Sequence, residues 1–375
     1  MSSVNPLPSE EVVPVPRPAA ALRRVRLLLA GHTGRVGGKL SQLISAERAR
    51  LAAESHLELH LSCAVNRAVS VWHEPEAPWR EERLPRKEGD WPALIHRFTA
   101  VPGPKLLVDC TASAEVAALY RECFGAGLGV VTANKLANSG SAALYRELQR
   151  AALAARLPYR YETTAGAALP LLASFADLKA SGDPLRRLEA VLSGTLSFVF
   201  QRMNEGTAFS AAVREARDQG YSEPHPMEDL KARDSARKLV ILLREAGVQI
   251  EPEEVRVQGL SPRALDGEAD PERYLEGLAT CDAYWAERLA ACQRQGTRLV
   301  CLAQYDGEQA SIGVKTVSAA DAFGHLGPGE NLVRAWTRRY QPVPLSIAGP
   351  GAGTEVTAGG LLTDILKAAT LSLRN

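Results

Sequence analysis

From Val25 onward the chain alternates between two hydrophobic periods. Val25–Ala30 is a short apolar run, after which Val36, Leu40, Leu43 and Ile44 recur at helical spacing, the apolar face of an amphipathic helix. Glu47 interrupts that face one turn later, so the helix is expected to leave the core there. Leu57–Val65 then reads Leu-Glu-Leu-His-Leu-Ser-Cys-Ala-Val, the period of two that a strand shows. Lys105–Cys110, Gly129–Thr132 and Tyr159–Thr163 are further strand-like runs. Helical stretches separate them, from Ser113, placed to cap, to about Gly125 and over Ser139–Arg156. Such alternation predicts an α/β fold with a Rossmann-type, doubly wound parallel sheet.

After about Thr164 the rhythm changes. Leu188–Leu192 reads as a strand and Glu228–Ala246 as a long helix. Arg298–Tyr305 and Ala310–Val317 flank Asp306-Gly307, a hairpin signal. These elements predict a second, α+β domain. A glycine-rich stretch, Gly349 to Gly353, precedes a last helix from about Val356 to Leu371. The expected division is a Pro-rich flexible tail (1–24), a dinucleotide-binding domain (25–163), a substrate and catalytic domain (164–344), and a segment (345–375) that returns to the nucleotide-binding domain.

The turn after the first strand holds Gly31, Gly34 and Gly37, with Thr33, Arg35 and Val36 between them. Backbone amides and a helix N-terminus in such a turn make a positive pole for a pyrophosphate, and side chains would block its approach. At the end of Leu57–Val65, where an acid would hold a ribose 2′-hydroxyl, the chain has Asn66-Arg67. Arginine there favours a 2′-phosphate. NADP(H) is therefore the preferred cofactor and NAD(H) the other possibility, with Arg67 as the phosphate contact.

Composition narrows the field. A formal charge of +1 lacks the basic surplus of nucleic-acid binders. The six cysteines are scattered without a C-x-x-C pair, which points to core thiols in a reducing compartment. No apolar run reaches the length of a membrane span, and the N-terminus lacks the order of a signal peptide. A cytoplasmic protein acting on a small molecule is expected, with neither nucleic acid nor membrane as partner.

Two segments look chemical. Lys135, in Thr132-Ala133-Asn134-Lys135, follows a parallel strand, where side chains meet ligands at the carboxyl ends of the sheet. Asp234 and Lys238 lie four residues apart on a helix and share a face. The run Leu239-Val240-Ile241-Leu242-Leu243 is apolar on every side, so that helix is expected to be buried. A lysine entering it beside carboxylates is a candidate proton carrier.

The phrases VDCTASAEV, VVTANKLAN, YETTAGAALP, LSGTLSFVF, GYSEPHPMEDL, DSARKLVIL and GPGAGTEVTAGG occur in that order. Together they resemble the successive motifs of homoserine dehydrogenases, above all the dehydrogenase half of bifunctional aspartokinase–homoserine dehydrogenases, over residues 25 to 373. The resemblance implies NAD(P)-dependent interconversion of L-homoserine and L-aspartate 4-semialdehyde in threonine, methionine and isoleucine biosynthesis. It makes Lys238 the catalytic lysine and Lys135 a second active-site lysine touching substrate and cofactor. Glu223 and Asp234 become the acids that hold the substrate ammonium, with Asp229 a further acid of the site. Thr111 and Ser113 fall near the nicotinamide ribose, and Gly353 contacts the cofactor. Glu162, with the carbonyls of Ala165, Ala167 and Leu169, matches a monovalent-cation site, usually sodium. A homodimer or homotetramer is implied.

Thr33, Ala168 and Ala232 depart from that pattern, each standing where glycine is common. The first is expected to weaken cofactor binding, the second to perturb the cation site, and the third to crowd the substrate pocket. No aspartokinase domain is visible before Val25 and no regulatory domain near Asn375, so threonine feedback through an extra domain is not expected. Three other readings stay open: a dihydrodipicolinate reductase, which shares the G-x-T-G-R-x-G opening; the same fold acting on another 4-hydroxy or 4-oxo amino acid; and a silent dinucleotide sensor or subunit.

Overall fold

The computed structural model describes residues 22–73, 82–85 and 90–372; the Pro-rich tail expected over 1–24 lies outside the described residues as far as 21, and its last two residues, Arg23 and Arg24, belong instead to the first strand. The first sheet is built from β1 (Arg23–Ala30), β2 (Leu57–Val65), β3 (Val69–Trp72), β4 (Glu82–Pro85), β5 (Lys105–Asp109), β6 (Gly129–Thr132) and β7 (Tyr159–Arg160), in the order β4-β3-β2-β1-β5-β6-β7. β2, β1, β5, β6 and β7 pair in parallel, whereas β3 and β4 add an antiparallel edge. The order reverses beside β1, with β2 on one side and β5 on the other. Ligands of such sheets bind in the crevice at that reversal.

Helices cover both faces. On one, Val25, Leu27 and Leu29 of β1 pack with Leu40 and Ile44 of the helix Arg35–Ser55 and with Leu361 and Ile365 of the C-terminal helix Thr354–Ser372. On the other, Leu28, Leu107 and Val130 meet Phe98, Tyr120, Phe124 and Leu148. Fully burying such side chains stabilises by about 1.5–3 kcal/mol each. The helix Arg35–Ser55 does not leave the core at Glu47: Leu51 returns to the buried face, and Glu47 pairs with Arg50 instead.

Three expected elements are shorter or broken. The helix from Ser113 divides into Ala114–Ala118 and Tyr120–Gly125, with Ser113 accepting from the Val116 amide as its cap. The next long helix starts at Ala142 rather than Ser139, because Ser141 supplies the N-cap oxygen to Leu144. β7 stops at Arg160, since the Glu162 amide turns away to donate to Asp364 of the C-terminal helix.

The second sheet holds β8 (Leu185–Val191), β9 (Val255–Val257), β10 (Thr297–Tyr305), β11 (Ala310–Ser318), β12 (Glu330–Thr337) and β13 (Leu345–Pro350), in the order β13-β12-β8-β10-β11-β9. β10 and β11 form the expected antiparallel hairpin. Asp306 shapes its turn by accepting the amides of Glu308 and Gln309. Leu188, Leu299 and Val333 face a helical layer through Phe200, Leu239 and Leu243. The helix expected over Glu228–Ala246 breaks at Ala232, which is left-handed (φ 52°), into Met227–Leu230 and Arg233–Glu245. Residues 345–350 pair with β12, so the return to the first sheet begins after Pro350 and not at 345. Among the described residues no helix is long and apolar enough to cross a membrane.

Candidate active site

The glycine turn after β1 is shaped by close backbone approach. Gly31 has φ +85°, and a Cβ on it would touch the Thr111 methyl at 3.0 Å. A Cβ on Gly37 would stand 2.3 Å from the Gly31 carbonyl oxygen, so the first helical turn can lie against the loop only as glycine. The Gly34 amide donates to the Gly31 carbonyl at 3.0 Å and the Gly38 amide to Gly34 at 2.8 Å. Helix Arg35–Ser55 starts with no side-chain cap and no acid in its first turn. Its leading amides are thus donors for an anion. Thr33 is exposed on the turn.

Across from this turn, the helix Arg233–Glu245 brings Asp234 and Lys238 to the loop after β6. Lys238 Nζ lies 3.0 Å from one Asp234 oxygen, and Lys135 Nζ lies 3.2 Å from the other. Lys238 also donates to the Leu192 carbonyl at 2.8 Å, just past β8, and is 9% exposed. Partial burial opposes ionisation of Asp234, but Lys238 and Lys135 outweigh it and hold the carboxyl well below its usual range. A depressed carboxylate stabilises the fold above its unfolded value, about 3.9, and loses that contribution as pH falls through the folded value. Asp234→Asn is therefore expected to destabilise the protein at neutral pH, with a deficit that shrinks once the pH falls below about 4. Chemical unfolding of native and variant protein from pH 7 to pH 3 checks this; a deficit independent of pH would count against it.

Asp229 fixes the segment that carries the remaining acid. Its carboxylate accepts the Thr195 hydroxyl at 2.9 Å and the Glu223 amide at 2.9 Å, while Thr195 Oγ1 also lies 2.6 Å from the Tyr221 carbonyl. The Glu223 side chain remains exposed beside them. These groups share a cleft of about 1050 Å³ whose walls include Arg35, Val36, Lys135, Glu223, Lys238 and Gly353. Asp229 and Asp234 line it as well. The C-terminal helix enters at Thr354, tied to the glycine-turn helix by Glu355 and Lys39, 3.0 Å apart.

Beneath the cleft lies a buried polar network that the sequence reading passed over. Asp109, at the end of β5 and 0% exposed, accepts from the Tyr120 hydroxyl (2.6 Å), the Thr111 amide (2.7 Å) and Asn134 Nδ2 (3.1 Å). Asn134 Nδ2 also donates to the Ser113 carbonyl at 2.8 Å. Burial pushes Asp109 above the usual carboxylate range despite these donors.

Other expected site residues stand apart from the cleft walls. Arg67 is exposed in the β2–β3 turn, which Asn66 shapes by accepting the amides of Ala68 and Val69. Glu162 sits where the chain leaves the first sheet and accepts the Leu172 and Ala173 amides, capping the helix Leu171–Ala180. The carbonyls of Ala165, Ala167 and Leu169 belong to the adjoining turn, and that of Leu169 accepts the Leu171 amide. A carboxylate and backbone carbonyls are the oxygen donors that a hard cation takes, so the donor set is compatible with sodium. Ala168 packs towards the C-terminal helix, where a Cβ on Gly360 would meet it at 3.1 Å. Ala232 lines the cleft, but its departure from glycine acts first through the backbone: a left-handed alanine costs about 1–2 kcal/mol.

Family models described as homoserine dehydrogenase and as its NAD-binding domain match residues 170–366 and 33–162. The chain belongs to the homoserine dehydrogenase family. A bifunctional aspartokinase/homoserine dehydrogenase of Haemophilus influenzae is 33% identical over 349 residues, 92% of this chain and 42% of that protein. The chain thus spans less than half the length of that relative. A Candida auris protein of unknown function has a crystal structure that matches with a TM-score of 0.82 at 30% identity, covering 93% of this chain and 98% of that one. A hyperthermophilic archaeal homoserine dehydrogenase in complex with NADPH shares the fold, with a TM-score of 0.68 at 22% identity over 92% of this chain and 98% of that one.

Within this homoserine dehydrogenase fold, several cleft residues carried no signal of their own. Ser193, Gly194 and Thr195 follow β8 and line the cleft, as do Arg217 and Arg237. The phrase LSGT marked the place without a role, because the work is done by the Leu192 carbonyl and the Thr195 hydroxyl.

Proposed function

We propose that this chain interconverts L-homoserine and L-aspartate 4-semialdehyde with a nicotinamide dinucleotide, as a step of threonine, methionine and isoleucine biosynthesis in the cytoplasm. The observation that carries this reading is the convergence of Lys135 and Lys238 on Asp234 inside a cleft that the glycine turn also walls. Residues 25–163 hold the dinucleotide and residues 164–344 supply the substrate side. The fit of a dinucleotide rests on the cradle that a Cβ at Gly37 would fill and on the uncapped helix start. A bound nicotinamide supplies the hydride acceptor or donor.

The chain's own groups handle the rest. Lys238, held by the Leu192 carbonyl and Asp234, exchanges the proton of the C4 oxygen. Lys135 orients substrate and cofactor from the opposite wall. Glu223, whose carboxylate is exposed to the cleft, receives the substrate ammonium together with Asp234, and Asp229 keeps that segment in place. Gly31, Thr33, Gly34, Arg35, Val36 and Gly37 cradle the pyrophosphate, with Thr111, Ser113 and Gly353 along the ribose and nicotinamide. Glu162 with the carbonyls of Ala165, Ala167 and Leu169 would hold a sodium ion and brace the crossover. Assembly as a homodimer or homotetramer belongs to the same reading.

NADP(H) is the preferred cofactor. The absence of an acid at Asn66-Arg67 supports this, as does the NADPH held by the archaeal relative. Arg67→Ala should raise the KM for NADPH about tenfold, the size of one charged hydrogen bond, and leave that for NADH nearly unchanged. Equal changes in both would remove Arg67 from the phosphate site. The reading as a whole is tested by following nicotinamide absorbance with homoserine and NAD or NADP in turn. Reduction of either supports it; binding of dinucleotide without reduction refutes it.

A further inference from the structure

Two loops, one packed against the glycine turn at Gly31 and the other lining the cleft through Lys135, are separate in sequence yet must keep a fixed relation. One follows β5 and carries Thr111 and Ser113; the other follows β6 and carries Lys135. The carboxylate of Asp109 joins them. Its Oδ1 accepts the Thr111 amide, and its Oδ2 accepts Asn134 Nδ2, from the residue immediately before Lys135. Asn134 closes the bracket by donating to the Ser113 carbonyl and by accepting the Leu136 amide at 3.1 Å. Tyr120 locks the carboxylate from the helix Tyr120–Gly125 and meets the Thr132 hydroxyl at 2.7 Å. Asn134 is 2% exposed and Tyr120 and Thr132 are fully buried, so water cannot substitute for any of these partners. Three donors require acceptor lone pairs on both oxygens, and only a carboxylate supplies them at this size.

We propose that Asp109 is a positioning residue: through Asn134 and Thr111 it sets the place of Lys135 relative to the dinucleotide side of the cleft. This rests on the dehydrogenase reading for its catalytic consequence, though not for its effect on dinucleotide binding. Asp109→Asn keeps the volume but leaves at least one donor, the Thr111 amide or Asn134 Nδ2, facing an amide NH₂, so the two loops shift relative to each other and Lys135 shifts relative to the dinucleotide side. Displacement of about 1 Å at a reacting group costs up to about 10²-fold in rate.

The test uses the full chain and three readouts: thermal unfolding, NADPH affinity by fluorescence titration, and kcat with KM for homoserine. Asp109→Asn is expected to lower kcat by about 10- to 100-fold, with KM for homoserine moving far less and NADPH affinity falling severalfold. Tyr120→Phe removes one donor and should shift the same readouts less; it carries the test if Asp109→Asn does not fold. Folded variants with native kcat and native NADPH affinity would overturn the proposal. If the native chain binds NADPH but leaves homoserine unchanged, the dehydrogenase reading fails by itself. Weakened NADPH binding in the two variants would then still support Asp109, and unchanged binding would overturn it.

Discussion

Lys238→Ala should lower the rate of homoserine oxidation by about 10³-fold, within the range that a positioned proton carrier contributes, and leave dinucleotide binding near the native value. The structure separates these two effects. Lys238 enters the cleft from the substrate side, on the helix Arg233–Glu245, whereas the glycine turn that would hold the pyrophosphate belongs to the first sheet. Removing the ammonium frees the Leu192 carbonyl and one Asp234 oxygen. Asp234 keeps Lys135 as partner and is 55% exposed in its side chain, so water can solvate the freed oxygen. The helix itself stays anchored by Leu239, Val240, Ile241, Leu242 and Leu243, each 1% exposed or less. The fold should therefore survive. Stopped assays with homoserine and NADP, paired with fluorescence titration of NADPH, measure both quantities. Turnover within tenfold of native would remove Lys238 from proton exchange, and lost NADPH binding would mean that the variant had damaged more than the proton carrier.

Lys238 and Asp234 were legible in the sequence because helical spacing fixes which side chains share a face, and the apolar run after them announces burial. The parallel part of the first sheet was legible for a related reason: Leu57–Val65 and Lys105–Asp109 carry enough apolar residues to stand out alone. What escaped was set by partners distant in the chain. β3 and β4 are four residues each and acquire meaning only by pairing, β3 with the edge of β2 and β4 with β3. The break at Ala232 is a backbone conformation that an alanine does not advertise. Glu162 reads as a strand residue until Asp364, some two hundred positions later, accepts its amide. Asp109 looked like the end of an apolar strand; its function in the network depends on Tyr120 and Asn134, which hydrogen-bond to it from two other elements. The resemblance to a family named the cleft residues. It did not reveal that Asp234 would stand between both lysines, which makes that carboxylate part of the device that spaces them.

The glycine turn offers the second large effect, and a matched control at the next residue along the helix. Gly37→Ala is expected to weaken NADPH binding by about 10²-fold and destabilise the protein by about 1–3 kcal/mol, the usual cost of overpacking. The new methyl would lie 2.3 Å from the Gly31 oxygen, 2.9 Å from the Gly31 carbonyl carbon and 3.0 Å from the His32 Cα. All three are backbone atoms, so no rotamer change relieves the contact and the turn must move off the helix. Gly31 cannot yield easily, because its own space is bounded by Cys110 and Thr111 at the end of β5. The movement therefore displaces the amides that would face the pyrophosphate. Gly38→Ala introduces the same methyl one residue later, where the nearest atom is the His32 oxygen at 3.6 Å, an ordinary contact. In a helix interior alanine is favoured over glycine by about 0.5–1 kcal/mol, so this variant should be slightly stabilised and bind NADPH as the native chain does. Thermal unfolding and fluorescence titration of the pair distinguish crowding of the turn from any general effect of adding a methyl group to the helix. If both variants bind NADPH equally well, the turn around Gly31 and Gly37 is not what holds the dinucleotide, and the cofactor must be sought elsewhere along the cleft.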